Sequence, residues 1–131
     1  MIVLDASAMV EWLLRLPHAD DVERELSDPE RDLHAPHLLD VEVAQVVRRL
    51  ASAGHITHTR GREALDDLAA LDLVRHGHEV LLPAIWRLRR NLTAYDAAYV
   101  ALADVLDAPL LTLDAALAAA PGHDADVRLI G

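Results

Sequence analysis

Two short apolar runs in this chain each end in an aspartate. Ile2-Val3-Leu4 stops at Asp5, and Leu110-Leu111-Thr112-Leu113 stops at Asp114. Runs this short with no charge inside them fit strands buried on both faces, the kind found in parallel sheets covered by helices. The intervening stretches supply those helices. Met9, Val10, Leu13 and Leu14 follow a cap at Ser7, or at Asp5 itself. Residues 17–32 are polar, with a short helix around Val22 and Leu26, and residues 32–36 read as a strand. Leu39, Val43, Val46, Val47 and Leu50 recur at helical spacing, with Gly54 placed to end that helix. Thr57 or Thr59 opens the next, with Leu65, Leu68 and Leu71 on one face. Leu73-Val74 is a short strand. Residues 80–92 read as helix, with Pro83 tolerated only in the first turn. Thr93 opens a helix bearing Tyr99, Val100, Ala103 and Leu106. Residues 115–120 are helical until Pro121-Gly122, and residues 127–130 form a last strand. The alternation predicts one α/β domain over residues 1–131 with a mainly parallel sheet.

Charge narrows the chemistry. The 131 residues carry 22 acids against 12 basic residues, a net charge of -10, and every basic residue is arginine. Without lysine there is no P-loop lysine and no Schiff base. Such a balance opposes nucleic-acid binding through bulk electrostatics, so an anionic partner needs a local arginine cluster or a cation. The absence of cysteine excludes thiol nucleophiles, disulfides and Cys-based zinc sites. No stretch is long enough to span a membrane, and Met1 leads straight into Ile2 without a basic segment, which fits a cytoplasmic protein.

Four acids sit where a parallel sheet builds its sites, beyond the carboxyl ends of strands or in the first turns of helices. They are Asp5, Glu42, Asp96 and Asp114. Each also has a plain structural use. Asp5 and Asp114 can be N-caps, Thr93 with Asp96 resembles a capping box, and Glu42 can be a favourable first-turn acid. If they converge, repulsion decides. Two carboxylates ~4 Å apart repel by ~4 kcal/mol at an effective dielectric near 20, more than helix dipoles offset. Protonation or a cation must then relieve the cluster. Oxygen ligands without Cys or His suit Mg²⁺ or Mn²⁺, ions that serve metal nucleases and phosphatases.

Three stretches extend this pattern to a family. They are Val3-Leu4-Asp5-Ala6-Ser7, the block Asn91 to Ala103 containing Thr93-Ala94-Tyr95-Asp96, and Leu111-Thr112-Leu113-Asp114, with Glu42 between the first two. In size, order and spacing the chain resembles a PIN-domain ribonuclease, specifically a VapC-type toxin of a toxin–antitoxin pair. The resemblance implies a three-layer α/β fold with a central parallel sheet of about five strands. It implies Asp5, Glu42, Asp96 and Asp114 as an acidic cluster for Mg²⁺ or Mn²⁺, supported by Ser7 and Thr112. The implied activity is endonucleolytic hydrolysis of structured RNA (tRNA or rRNA), leaving 5′-phosphate and 3′-hydroxyl ends. The implied partners are a cognate VapB-type antitoxin, a second copy in a homodimer, and DNA only through the antitoxin. One departure is Ala116, where many relatives carry a basic residue.

Arg87, Arg89 and Arg90 are candidates for contact with RNA, against the plainer reading of solvated helix faces. His55 with His58, and His76 with His78, have ligand-like spacing but no third ligand nearby, so zinc is disfavoured. Trp12, Trp86, Tyr95 and Tyr99 read as core or interface anchors rather than base-stacking platforms. Ser7 in place of a second aspartate, and the missing lysine, disfavour an aspartate phosphatase and a receiver domain. The remaining alternative is a non-catalytic acidic module that sequesters a basic partner.

Overall fold

A computed structural model describes residues 1–131. Five strands form one parallel sheet: β1 (Ile2–Leu4), β2 (Leu33–Pro36), β3 (Leu73–His76), β4 (Leu110–Thr112) and β5 (Val127–Leu129). Their order is β3-β2-β1-β4-β5. The sheet grows outward from β1 in both directions, so the order reverses between β1 and β4. That reversal leaves a crevice beyond the strand ends, the usual place for a site in such a sheet. Register sets Val3 opposite Leu110 and Leu4 opposite Leu111. Asp5 and Thr112 therefore emerge side by side, and the Asp5 N–H donates to the Leu111 carbonyl at 3.2 Å.

Seven α-helices flank the sheet: α1 (Ala6–Leu13), α2 (Ala19–Glu25), α3 (Leu38–Ser52), α4 (His58–Ala70), α5 (Leu82–Arg87), α6 (Ala94–Leu106) and α7 (Ala115–Ala119). Helices α1 to α4 pack on one another, and α5 packs on α6, which lies across β1, β2 and β4. The result is the expected three-layer arrangement. Ile2, Val3, Leu4, Leu110 and Leu111 have no exposed surface. Both faces of the central strands are covered, which is why their sequences carry no polar alternation. No helix is long and apolar enough to cross a membrane.

Local expectations hold with four adjustments. Asp5, not Ser7, caps α1, and Thr57, not Thr59, caps α4. Strand β3 continues through Arg75 and His76, polar residues paired with β2 on one side only at the sheet edge. The helix expected over residues 80–92 breaks up. A 3₁₀ turn (Glu79–Leu81) precedes α5, Pro83 occupies the first turn where its missing N–H costs nothing, and the chain leaves the helix after Arg87. Helix α3 begins at Leu38, so the first-turn acid is Asp40, paired with Arg75 at 2.7 Å, and Glu42, expected in the first turn, falls at the start of the second.

The buried edge pair β2–β3 holds two histidines. His34 Nδ1 lies 2.8 Å from His76 Nε2, and the rings are inclined by 28° with centroids 5.1 Å apart. With the nitrogens so much closer than the centroids, the rings meet edge to edge and share one proton. His34 Nε2 is buried without a partner. Burial first, then the neighbouring His76, holds the His34 pKa below its usual value. The unfolded chain therefore takes up a proton that the fold resists. Stability from neutral His34 is complete above its ordinary pKa and is lost as pH falls below it. The melting temperature, followed by circular dichroism, should fall between about pH 7.5 and pH 5.5, on either side of the ordinary histidine pKa near 6.5. His34→Asn should flatten that fall, and an equal fall in the variant would contradict this role.

Candidate active site

Asp5 is the anchor of the crevice. It is 6% exposed, and its carboxylate is held on every side. Oδ1 accepts from the Ser7 hydroxyl at 2.6 Å and from the Ala8 N–H at 3.0 Å. Oδ2 accepts from the Thr112 hydroxyl at 2.5 Å. Thr112 Oγ1 in turn accepts the Asp114 N–H at 3.0 Å, and Ser7 Oγ accepts the Leu113 N–H at 2.9 Å. Two hydroxyls thus tie the end of β1 to the end of β4. Asp5 is a helix cap that also faces the crevice, so capping does not take it away from the other acids.

The other acids arrive from helices. Asp96 lies in the first turn of α6, where its N–H donates to Thr93 Oγ1 at 3.2 Å. Glu42 comes from α3, and its Oε1 accepts from the Tyr99 hydroxyl at 2.5 Å. Asp114 caps α7, with Oδ1 accepting from the Ala116 N–H at 2.9 Å and the Leu117 N–H at 3.3 Å. Ala116 thus takes part through its backbone N–H. Tyr99 escaped the sequence reading as a site residue. The signal was its spacing, three residues after Asp96 and so on the same helix face.

Electrostatics show that these acids share one space. Burial raises the Asp5 pKa above the usual range, the hydrogen bonds from Ser7, Thr112 and Ala8 oppose this, and the charge of Asp96 adds to the rise. Burial also raises Glu42, opposed by the Tyr99 hydrogen bond and reinforced by Asp96 and Asp5. Asp96 is raised by burial and by Asp114, with Thr93 opposing. Tyr99, buried against Glu42, is pushed well above the usual phenol range. None of the four acids joins the ion pairs formed elsewhere in the chain by Asp20, Asp40, Asp66 or Glu25. No three His, Asp or Glu side chains lie close enough together to enclose an ion directly. The acids form a loose ring rather than a closed cage.

Arg87, Arg89 and Arg90 are exposed on and just beyond α5, outside this ring. The histidines serve elsewhere: His76 bonds His34, and His78 Nε2 accepts the Leu38 N–H at 3.1 Å at the start of α3. Of the aromatic residues, Tyr99 is buried, whereas Trp86 is 68% and Tyr95 66% exposed, so of core and interface anchor only the core alternative is excluded for these two.

Comparison with known proteins identifies the architecture. The PIN domain family matches residues 2–122. A Mycobacterium tuberculosis protein named Ribonuclease VapC1 is 44% identical over 129 residues, covering 98% of this chain and 96% of its own length. The chain belongs to the PIN-domain family, in its VapC group. Ribonuclease VapC9 of the same organism is 45% identical over 114 residues, covering 87% of this chain and 86% of its own. The crystal structure of VapBC2 from Rickettsia felis bound to a DNA fragment from their promoter shares the fold at 14% identity, with a TM-score of 0.72 and full coverage of both chains. In this PIN domain the crevice acids span β1, α3, α6 and the end of β4.

The raised acid pKa values have a stability consequence of fixed sign. A carboxyl harder to ionise in the fold than in the unfolded chain costs stability at neutral pH, and the cost is relieved as pH falls through its folded pKa. Asp96→Asn removes one of the repelling charges. In EDTA-containing buffer near neutral pH it should raise the melting temperature by a few degrees, and the gain should shrink in acid. A lower melting temperature, the outcome for a mere first-turn helix acid, would contradict the mutual repulsion.

Proposed function

We propose that this chain is the toxin of a type II toxin–antitoxin pair and acts as a Mg²⁺- or Mn²⁺-dependent endoribonuclease on structured RNA, tRNA or rRNA. The observation that carries the reading is a group of acids at the sheet's crevice, Asp5 buried and Glu42 and Asp96 half-buried, that feel one another's charge and have no cationic partner. The names of its relatives support the activity.

The donor set fits a hard divalent ion. It consists of carboxylate oxygens only, and it is too open to strip an ion of its waters. Mg²⁺ keeps several waters and takes one or two carboxylates directly, which is what a loose ring offers. Asp5 and Asp96 would hold it, with Glu42 and Asp114 at its flanks. Once bound, such an ion makes a water more acidic and offsets the charge of a phosphodiester.

The chain's own residues do the rest. Ser7, Thr112 and the Ala8 N–H fix the Asp5 carboxylate before any ligand arrives, so little ordering is needed on binding. Tyr99 fixes Glu42 through Oε1, while Oε2 makes no hydrogen bond and is free to accept a proton or a water. The buried floor below β1 and β4 keeps these charges in a low dielectric, where each interaction with a phosphoryl group is strengthened.

The same ring suits the proposed inhibitor. A VapB-type antitoxin with an arginine at the acids would neutralise them bidentately, without the water chemistry of an ion. Promoter DNA would be engaged through that antitoxin, since the toxin's own charge is -10. A homodimer is proposed for the toxin.

Purified protein incubated with total RNA should cleave it in Mg²⁺ or Mn²⁺ and not in EDTA. Asp5→Ala and Asp96→Ala should each lose about 100-fold or more, the scale for one electrostatic contact to a developing charge. Equal cleavage by variants and wild type would overturn the reading. Tyr99→Phe should lower kcat by about 10- to 100-fold, as for other outer partners of ligating carboxylates, and should weaken Mn²⁺ binding. Unchanged Mn²⁺ affinity would show that Tyr99 only fills space.

A further inference from the structure

Residues 80–95 contain no Asp or Glu, in a chain with 22 acids. The segment runs from the turn before α5 to the first turn of α6, and it ends one residue short of Asp96. Arg87, Arg89 and Arg90 lie within it, all exposed and none in an ion pair. Of the nine arginines elsewhere, Arg15, Arg24, Arg60, Arg62, Arg75 and Arg128 pair with carboxylates, and Arg31, Arg48 and Arg49 do not. Arg87 faces a cavity that Asp104 and Asp124 also line, while along the chain the segment leads directly to Asp96 at the start of α6.

Two large aromatic rings stand out from the same segment. Trp86 is 68% and Tyr95 66% exposed. The Trp86 ring is not loose. The Arg89 guanidinium lies 4.5 Å from its centroid, and Arg89 Nη1 donates to the Trp86 carbonyl at 2.9 Å. Arg89 thus covers part of the indole and sets its orientation, while most of the ring remains in solvent. A fixed ring with an open face beside unpaired guanidinium groups can stack a base and hold the adjoining phosphate.

We propose that Trp86, Arg87, Arg89, Arg90 and Tyr95 form a nucleotide-binding strip that takes unpaired bases and phosphates of RNA flanking the bond held at the acid cleft. The proposal rests on the ribonuclease reading and specifies how a protein of charge -10 holds a polyanion: through a local cationic strip that leads into the cleft. Buried Leu88 and Leu92 pin the strip to the core, and Thr93 turns it into α6 at the positive end of that helix. Exposed Val80 and Leu82 adjoin it and give the strip one rival occupant, a second copy of this chain.

The test measures binding of fluorescein-labelled oligoadenylate to the full chain by anisotropy, with Ca²⁺ replacing Mg²⁺ so that binding is separated from turnover. Trp86→Leu and Tyr95→Leu should each weaken binding about tenfold, the effect of losing one base stack, without changing its salt dependence. Arg90→Ala should reduce the slope of log affinity against log salt by about 0.7, the single-strand value for one phosphate contact. Light scattering should give the same mass for all variants. Wild-type affinity in Trp86→Leu would overturn the strip. So would a loss of affinity that accompanies a change in mass, which would assign the surface to contact between copies. Binding through Trp86 without RNA cleavage in Mg²⁺ or Mn²⁺ would end the ribonuclease reading and keep the strip. Cleavage with unchanged affinity in Trp86→Leu would do the reverse.

Discussion

Repulsion among Asp5, Glu42, Asp96 and Asp114 is the constraint around which this molecule is organised. Asp5 cannot leave the crevice, because β1 pairs with β4 and the hydroxyls of Ser7 and Thr112 hold its carboxylate from both sides. Asp96 is fixed by the Thr93 cap, and Glu42 by Tyr99. The fold thus spends stability to hold like charges in a half-buried space with no guanidinium among them. Under the proposed function the compensating charge is a divalent cation, which matches these acids in charge and in ligand type.

The site shows how capping and chemistry are combined. Asp5 and Asp114 both satisfy N–H groups at helix starts, which secures their positions. In both, the capping Oδ1 already accepts two hydrogen bonds, so the acceptor capacity left for a ligand is on Oδ2. Both are caps, and capping leaves each of them free to serve the proposed site as well.

Much of this was legible in advance, for a physical reason. The strands β1 and β4 announce themselves because a doubly covered parallel strand cannot tolerate charge, and the acids that end them mark the crevice. Helix starts at Thr57 and Thr93 were legible from cap chemistry. What was not legible depends on long-range packing. Nothing local to Glu42 reveals that Tyr99, 57 residues away, donates to it. Residues 80–92 have helical periodicity, but tertiary packing of Leu81 and Leu88 selects a 3₁₀ turn and a short helix instead. Nor does local sequence reveal that Trp86 and Tyr95 stand exposed rather than in the core.

Mn²⁺ titration by calorimetry addresses the central claim most directly, because it reads the charge cluster without RNA or partner. The expected result is saturable binding by the wild-type chain that Asp5→Asn removes while the fold, followed by circular dichroism, is preserved. Absence of Mn²⁺ binding, or binding of equal strength in Asp5→Asn, would contradict the claim that these acids meet in order to hold a cation.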